Sequence, residues 1–271
     1  MNYFDYHIHN EISFDSEASL LDQCEEALRK GLSEIALTNH YELDFVLQGR
    51  LLKAPDLALE EKLLLEARER FRGRLIIRRG IEIGQPTYDL AAARELMSAR
   101  DYDVVLGSMH NGLGDLDFYY MRSEDYTDDQ LREIWIDYVN RLLEVAVNGE
   151  MDVLTHVMYP RRYLEESRRH CFTPTKEQFE PIFRALIQKG IALEINTSAV
   201  RRGVSKRPDP ELEFLKFYRE LGGEYLTMGS DAHVASDVGA NYEDAFLLAK
   251  ETGFRYMTRY CQREKIMEEL T

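Results

Sequence analysis

His7, His9, His40, His110, His156 and His233 are six of the chain's seven histidines, and each stands where a short apolar run gives way to a polar loop. Carboxylates occupy equivalent places, with Asp15, Glu82 and Asp231 at or just past the ends of such runs. Imidazole and carboxylate without thiolate suit an open zinc, manganese or iron site, and disfavour a closed structural zinc of cysteines. In His7-Ile8-His9 a spacing of two puts both rings on one face of a strand, so the pair can share one cation. Ligands this far apart in the chain meet only if the fold gathers the ends of many strands at one rim.

The apolar runs have the form that such a rim needs. Tyr3 to His9 alternates as a strand, and Glu34 to Thr38 leads into Asn39-His40. Leu75 to Ile77 precedes Gly80 to Gly84, Val104 to Gly107 precedes His110, and Val153 to Thr155 ends on His156. Ile191 to Ile195 runs into Asn196, and Tyr225 to Gly229 into Ser230-Asp231-Ala232-His233. Helical apolar spacing fills the intervals. Ser19 caps a helix that Gly31 stops, and further helices are expected at Leu57 to Phe71, Asp89 to Met97, Asp128 to Val147, Thr175 to Ile187, Glu211 to Leu221 and Tyr242 to Glu251. Seven strands, each followed by a crossover, imply a parallel sheet that closes. The expected fold is α/β, a distorted seven-unit TIM-like barrel with the metal site at the C-terminal ends of its strands. A short eighth strand is expected near Arg255-Tyr256-Met257.

At 271 residues and 44% hydrophobic content the chain can bury a large core, and residues 1–271 are read as one domain. The polar stretches Asn111 to Asp129, Met158 to Thr173 and Arg201 to Asp209 all begin just after a strand end, so they read as active-face loops. A net charge of -15 repels a long polyanion, so no nucleic acid partner is expected, while a small anion in a local positive pocket remains compatible. Three widely spaced cysteines, Cys24, Cys171 and Cys261, argue against a disulfide framework. With no apolar run near the ~18 residues of a membrane span and no leader-like N-terminus, a cytoplasmic protein is expected.

The ordered motifs His7-Ile8-His9 with Asp15, Thr38-Asn39-His40, Gly80-Ile81-Glu82, Gly107-Ser108-Met109-His110, His156 and Gly229-Ser230-Asp231-Ala232-His233 resemble those of the PHP (polymerase and histidinol phosphatase) superfamily. Glu194-Ile195-Asn196-Thr197-Ser198 and Pro160-Arg161-Arg162-Tyr163 are similar to its histidinol-phosphate phosphatase branch. Many members of the superfamily carry His where this chain has Asp15. The resemblance implies three divalent ions, Zn, Mn or Fe: one held by His7, His9, Glu82 and Asp231, a second by Asp15, His40 and His233, and a third by Glu82, His110 and His156. Glu82 then bridges two ions. Glu82, Asp231 and His233 are the candidate catalytic residues. Glu194 either orients a histidine from inside the barrel or pairs with a neighbouring base, and His170 is read as solvated.

Three divalent cations held by three carboxylates, neutral imidazoles and one hydroxide would retain positive charge, which a phosphomonoester dianion neutralises. Closely spaced metal ions activate a bridging water and stabilise a developing alkoxide. The expected reaction is hydrolysis of a small phosphomonoester, L-histidinol phosphate in histidine biosynthesis by the resemblance, through attack of a metal-held hydroxide on phosphorus. Arg161 and Arg201 are the favoured phosphate ligands of the pairs Arg161-Arg162 and Arg201-Arg202, because guanidinium matches phosphate bidentately. By the same resemblance Glu42 is the candidate partner of a substrate amine, and Phe118, with Tyr119 and Tyr120, is the candidate wall for an imidazole. The alternatives are a phosphoesterase acting on another small ester or on nucleotides, and a metal-binding module without catalysis.

Overall fold

The computed structural model describes residues 2–44 and 55–270. Seven parallel strands run in the order β1 (Phe4–Ile8), β2 (Glu34–Leu37), β4 (Ile76–Gly84), β5 (Val104–Ser108), β8 (Val153–Leu154), β9 (Ala192–Asn196) and β10 (Leu226–Gly229), with the short hairpin of β6 (Asn111–Gly112) and β7 (Leu116–Asp117) outside this order. β3 (His40–Glu42) continues β2 past a break at Thr38-Asn39, and both pieces pair with β4. This break sets His40 in register with Glu82. The two apolar runs on either side of Arg78-Arg79 form one strand, β4.

Helices appear where the apolar spacing placed them. Ser19 accepts a hydrogen bond from the Asp22 N–H at the start of α1 (Leu20–Arg29), and α2 covers Leu57–Arg70. Asp89 caps α3 (Leu90–Ser98). Capping boxes built on Thr127 and Thr175 start α4 (Asp128–Asn148) and α5 (Lys176–Lys189). The short α6 (Ser198–Arg201) precedes α7 (Leu212–Glu220) and α8 (Tyr242–Glu251). Trp135 on α4 stacks on Tyr138 and Phe172 in the larger apolar core, between barrel and helices.

The seam between β1 and β10 closes without a regular ladder. The Asp231 N–H donates to the His7 carbonyl and the His9 N–H to the Ala232 carbonyl. Beneath them the buried Asp5 carboxylate accepts from Ser230 N (2.9 Å), Ser230 Oγ (2.5 Å) and Gly239 N (2.8 Å). A side chain thereby does the pairing that strand backbones do elsewhere.

The expected eighth strand takes a different role. Tyr256–Cys261 (β11) pairs antiparallel with Glu264–Glu269 (β12), and this hairpin stands outside the barrel's strand order. It closes the end of the barrel away from the histidines, where the Tyr6 hydroxyl donates to Glu34 (2.5 Å) and accepts from the Tyr260 N–H (2.9 Å). Arg78 and Arg259 neutralise Glu34 there (2.6 and 2.5 Å). None of the described helices is long and apolar enough to cross a membrane.

Candidate metal centre

All nine expected ligands stand at one mouth of the barrel. His7 leaves β1 buried, and its Nε2 lies 3.4 Å from Glu82 Oε2 and 3.7 Å from Asp231 Oδ1. His9 Nε2 faces the same two oxygens at 3.6 and 3.5 Å. On the other side of Glu82, Oε1 lies 3.0 Å from His156 Nε2 and 3.4 Å from His110 Nε2, and those two nitrogens are 3.3 Å apart. Asp15 Oδ2 reaches His233 Nε2 at 2.9 Å and His40 Nε2 at 3.5 Å, while His40 Nδ1 is 2.7 Å from Glu82 Oε2.

The decisive detail is that His7 Nε2, His9 Nε2, His40 Nδ1 and Glu82 Oε2 are buried and make no hydrogen bond. Unsatisfied buried polar atoms are rare and individually costly. Four that converge on one point, with separations typical of atoms sharing a cation, fit divalent metal. The subsets His7-His9-Glu82, Glu82-His110-His156 and His9-His40-His233 each bring donor atoms close enough for one ion.

Neighbouring side chains aim the imidazoles. Glu194 on β9 takes His7 Nδ1 at 2.7 Å and also accepts from the His156 N–H at 2.7 Å. Glu42 takes His110 Nδ1 at 3.0 Å and receives Gln85 Nε2 at 2.8 Å. Such partners fix which ring nitrogen is free to ligate. Two glycines make room for these acids: a Cβ at Gly84 would run into the Glu42 carboxylate, and one at Gly229 into Glu194 and His7.

Electrostatics follow from this crowding. Burial raises the Glu82 carboxyl, but His40, His7 and His110 around it carry it well below the usual range, so it stays ionised. Burial lowers His110, while Glu42 and Glu82 more than reverse this and lift it to about 10. Burial, with His40 and His233 nearby, pulls His9 down to about 3. The carboxylates that hold protons on some of these rings are equally placed to hold cations.

Above the ligands opens a cleft of about 620 Å³, walled by Tyr119, Tyr120, Tyr159 and Tyr163 and edged by Arg162 and Arg202. Arg162 donates to Asp231 Oδ2 (2.6 Å) and Asn196 Oδ1 (2.8 Å), with its guanidinium over the Tyr159 ring.

Residues 5–198 match the sequence profile of the PHP domain. The chain belongs to the PHP family. A histidinol-phosphatase of Lactococcus lactis is 28% identical over 267 residues, which cover 96% of this chain and 95% of that protein. A Thermotoga maritima protein named as a probable histidinol-phosphatase is 27% identical over 253 residues, covering 93% of this chain and 94% of that protein. The crystal structure of the L. lactis histidinol phosphate phosphatase, complexed with zinc, L-histidinol and phosphate, superposes with a TM-score of 0.82 at 23% identity, over 98% of this chain and 99% of that one.

Within this PHP-family site the substrate contacts expected from sequence need revision. Arg161 pairs with Glu211 (2.9 Å) and does not line the cleft. Arg201 is held beneath the rim by the carbonyls of Ser230 and Asp231 (2.6 and 3.2 Å) and by Asp237 (3.0 Å). Their neighbours Arg162 and Arg202 face the cleft instead. Phe118 is fully buried against Tyr138 and Phe172, so the walls belong to Tyr119 and Tyr120, together with Tyr159 and Tyr163, which sequence reasoning left out. Glu42 reaches the cleft, but its oxygens are committed to His110 and Gln85.

Proposed function

We propose that this protein is a metal-dependent phosphomonoesterase that hydrolyses L-histidinol phosphate to L-histidinol and phosphate. The observation that carries the reading is the set of orphaned buried donors around Glu82, at the floor of a cleft sized for a small molecule. Near full-length similarity to histidinol-phosphatases supports the choice of ester.

His7, His9, Glu82 and Asp231 would hold one divalent ion, Asp15, His40 and His233 a second, and Glu82, His110 and His156 a third. Zinc, manganese or iron bound there supplies Lewis acidity and an activated water at neutral pH. The residues do the rest. Glu82 presents one oxygen to each side of the cluster, and Glu194 and Glu42 lock the rings of His7 and His110. Arg162 and Arg202, the arginines that line the cleft, would take phosphate oxygens. The tyrosine walls exclude bulk water and offer flat faces to an imidazole. A narrow site in a chain of net charge -15 favours a small ester over a polynucleotide.

The test is phosphate release by the purified chain, supplied separately with manganese, zinc or iron, from L-histidinol phosphate, a nucleoside monophosphate and a short oligonucleotide. The highest kcat/KM is expected on L-histidinol phosphate and is lost with a chelator. Preference for a nucleotide, or turnover that survives metal removal, would overturn the reading.

A further inference from the structure

Away from the cleft, Asp128 at the start of α4 meets His170 and Cys171 at the end of the turn Glu166–Cys171. His170 Nε2 lies 3.2 Å from Asp128 Oδ2 and 3.6 Å from Cys171 Sγ. A tetrahedral zinc with Zn–S about 2.3 Å, Zn–N about 2.05 Å and Zn–O about 2.0 Å separates S from N by about 3.5 Å and N from O by about 3.3 Å. The observed spacings agree with both.

The surroundings also prepare the three atoms. His170 Nδ1 faces the Ser167 carbonyl at 2.9 Å, an acceptor only, so the neutral ring carries its proton there and turns the Nε2 lone pair toward Asp128 and Cys171. Arg168 takes the other carboxylate oxygen, Asp128 Oδ1, at 2.8 Å and leaves Oδ2 for the cluster. The Cys171 side is buried while the His170 side is open, which gives a cation a path in and a free position for water.

We propose that Asp128, His170 and Cys171 form a separate, thiolate-containing site for a thiophilic divalent cation such as zinc, outside the catalytic centre. Its role is mechanical. The turn that ends in Cys171 follows the segment bearing Tyr159, Arg162 and Tyr163, and α4 follows the loop bearing Tyr119 and Tyr120. A cation here ties together the two loops that frame the cleft. Burial and the Asp128 carboxylate push the Cys171 thiol up, and a bound cation would oppose both.

None of the expected catalytic ligands is a cysteine, so a thiolate-to-cobalt charge-transfer band is blind to the catalytic centre, and Cys171→Ser separates this site from Cys24 and Cys261. The full chain, stripped with a chelator and reloaded with cobalt(II), is expected to show that near-ultraviolet band. Cys171→Ser and His170→Ala should each abolish it and lower bound cobalt by one ion per chain. No band in the unmodified protein would overturn the proposal, since an ordinary Asp128–His170 ion pair gives none. A band that survives Cys171→Ser would overturn it too, because the sulfur would then belong to Cys24 or Cys261.

Discussion

Glu82 shows how one side chain can organise the centre. Its Oε2 faces His7, His9 and His40 while its Oε1 faces His110 and His156, so a single carboxylate joins both halves of the cluster. Glu42 illustrates a different task, since it grips the far nitrogen of His110. Glu42→Gln is therefore expected to weaken metal affinity by about 10–100-fold, with KM for substrate little changed once metal is saturating; metal titration beside steady-state kinetics separates the two. Asp209 offers a test at a residue outside the expected ligand set. Burial raises its carboxyl to about 6, above the 3.8 it has when free, and its Oδ1 has no hydrogen-bonding partner. Because the folded state holds this proton more tightly, stability falls as pH rises from about 4 through 6. Asp209→Asn should accordingly raise stability above pH 7 by up to roughly 3 kcal/mol and change it little near pH 4, as followed by denaturant titration at both values. The gathering of these side chains at one mouth was legible in the sequence because histidines and acids stand at the ends of so many strands. The choice within each arginine pair was not. Arg161 and Arg162 sit in one 3-10 turn, where adjacent side chains diverge, and no periodicity tells which one faces inward.

Strand ends do more than carry ligands. Gln85, His156 and Asp231 follow β4, β8 and β10 with positive φ (52°, 23° and 56°), a left-handed step that turns the chain across the mouth. Such conformations cost about 1–3 kcal/mol and persist where surrounding contacts enforce them. At the β1–β10 seam that enforcement comes from Asp5. Asp5→Ala leaves the Ser230 and Gly239 N–H groups buried without acceptors, each costing about 1–3 kcal/mol. The expected result is a lower denaturation midpoint together with weaker metal binding, because His7 and His9 lie on one side of this seam and Asp231 on the other. The seven strands and their crossover helices were readable from apolar runs and caps. The terminal hairpin was not, since its turn places Gln262 and Arg263 at positive φ (50° and 65°) without the Asn or Gly that usually signals such a turn.

The barrel as a whole has opposite characters at its two ends. One end gathers unsatisfied donors and opens to solvent, while the other is plugged by β11–β12 and by a buried network in which Glu34 meets Tyr6, Arg78 and Arg259. Stability and chemistry should therefore separate. Tyr6→Phe removes the Glu34 hydrogen bond and orphans the Tyr260 N–H, so it is expected to cost about 2–4 kcal/mol in denaturant unfolding while kcat of the folded protein stays near that of the parent. Distant imidazoles and carboxylates are proposed to hold divalent ions around Glu82. Anomalous diffraction from a crystal grown with manganese and phosphate tests this most directly: the expected map has metal peaks on both sides of the Glu82 carboxylate, with phosphate between them and Arg162. A map with no metal at Glu82, or with His7, His9 and His156 bonded only to protein atoms, would contradict it.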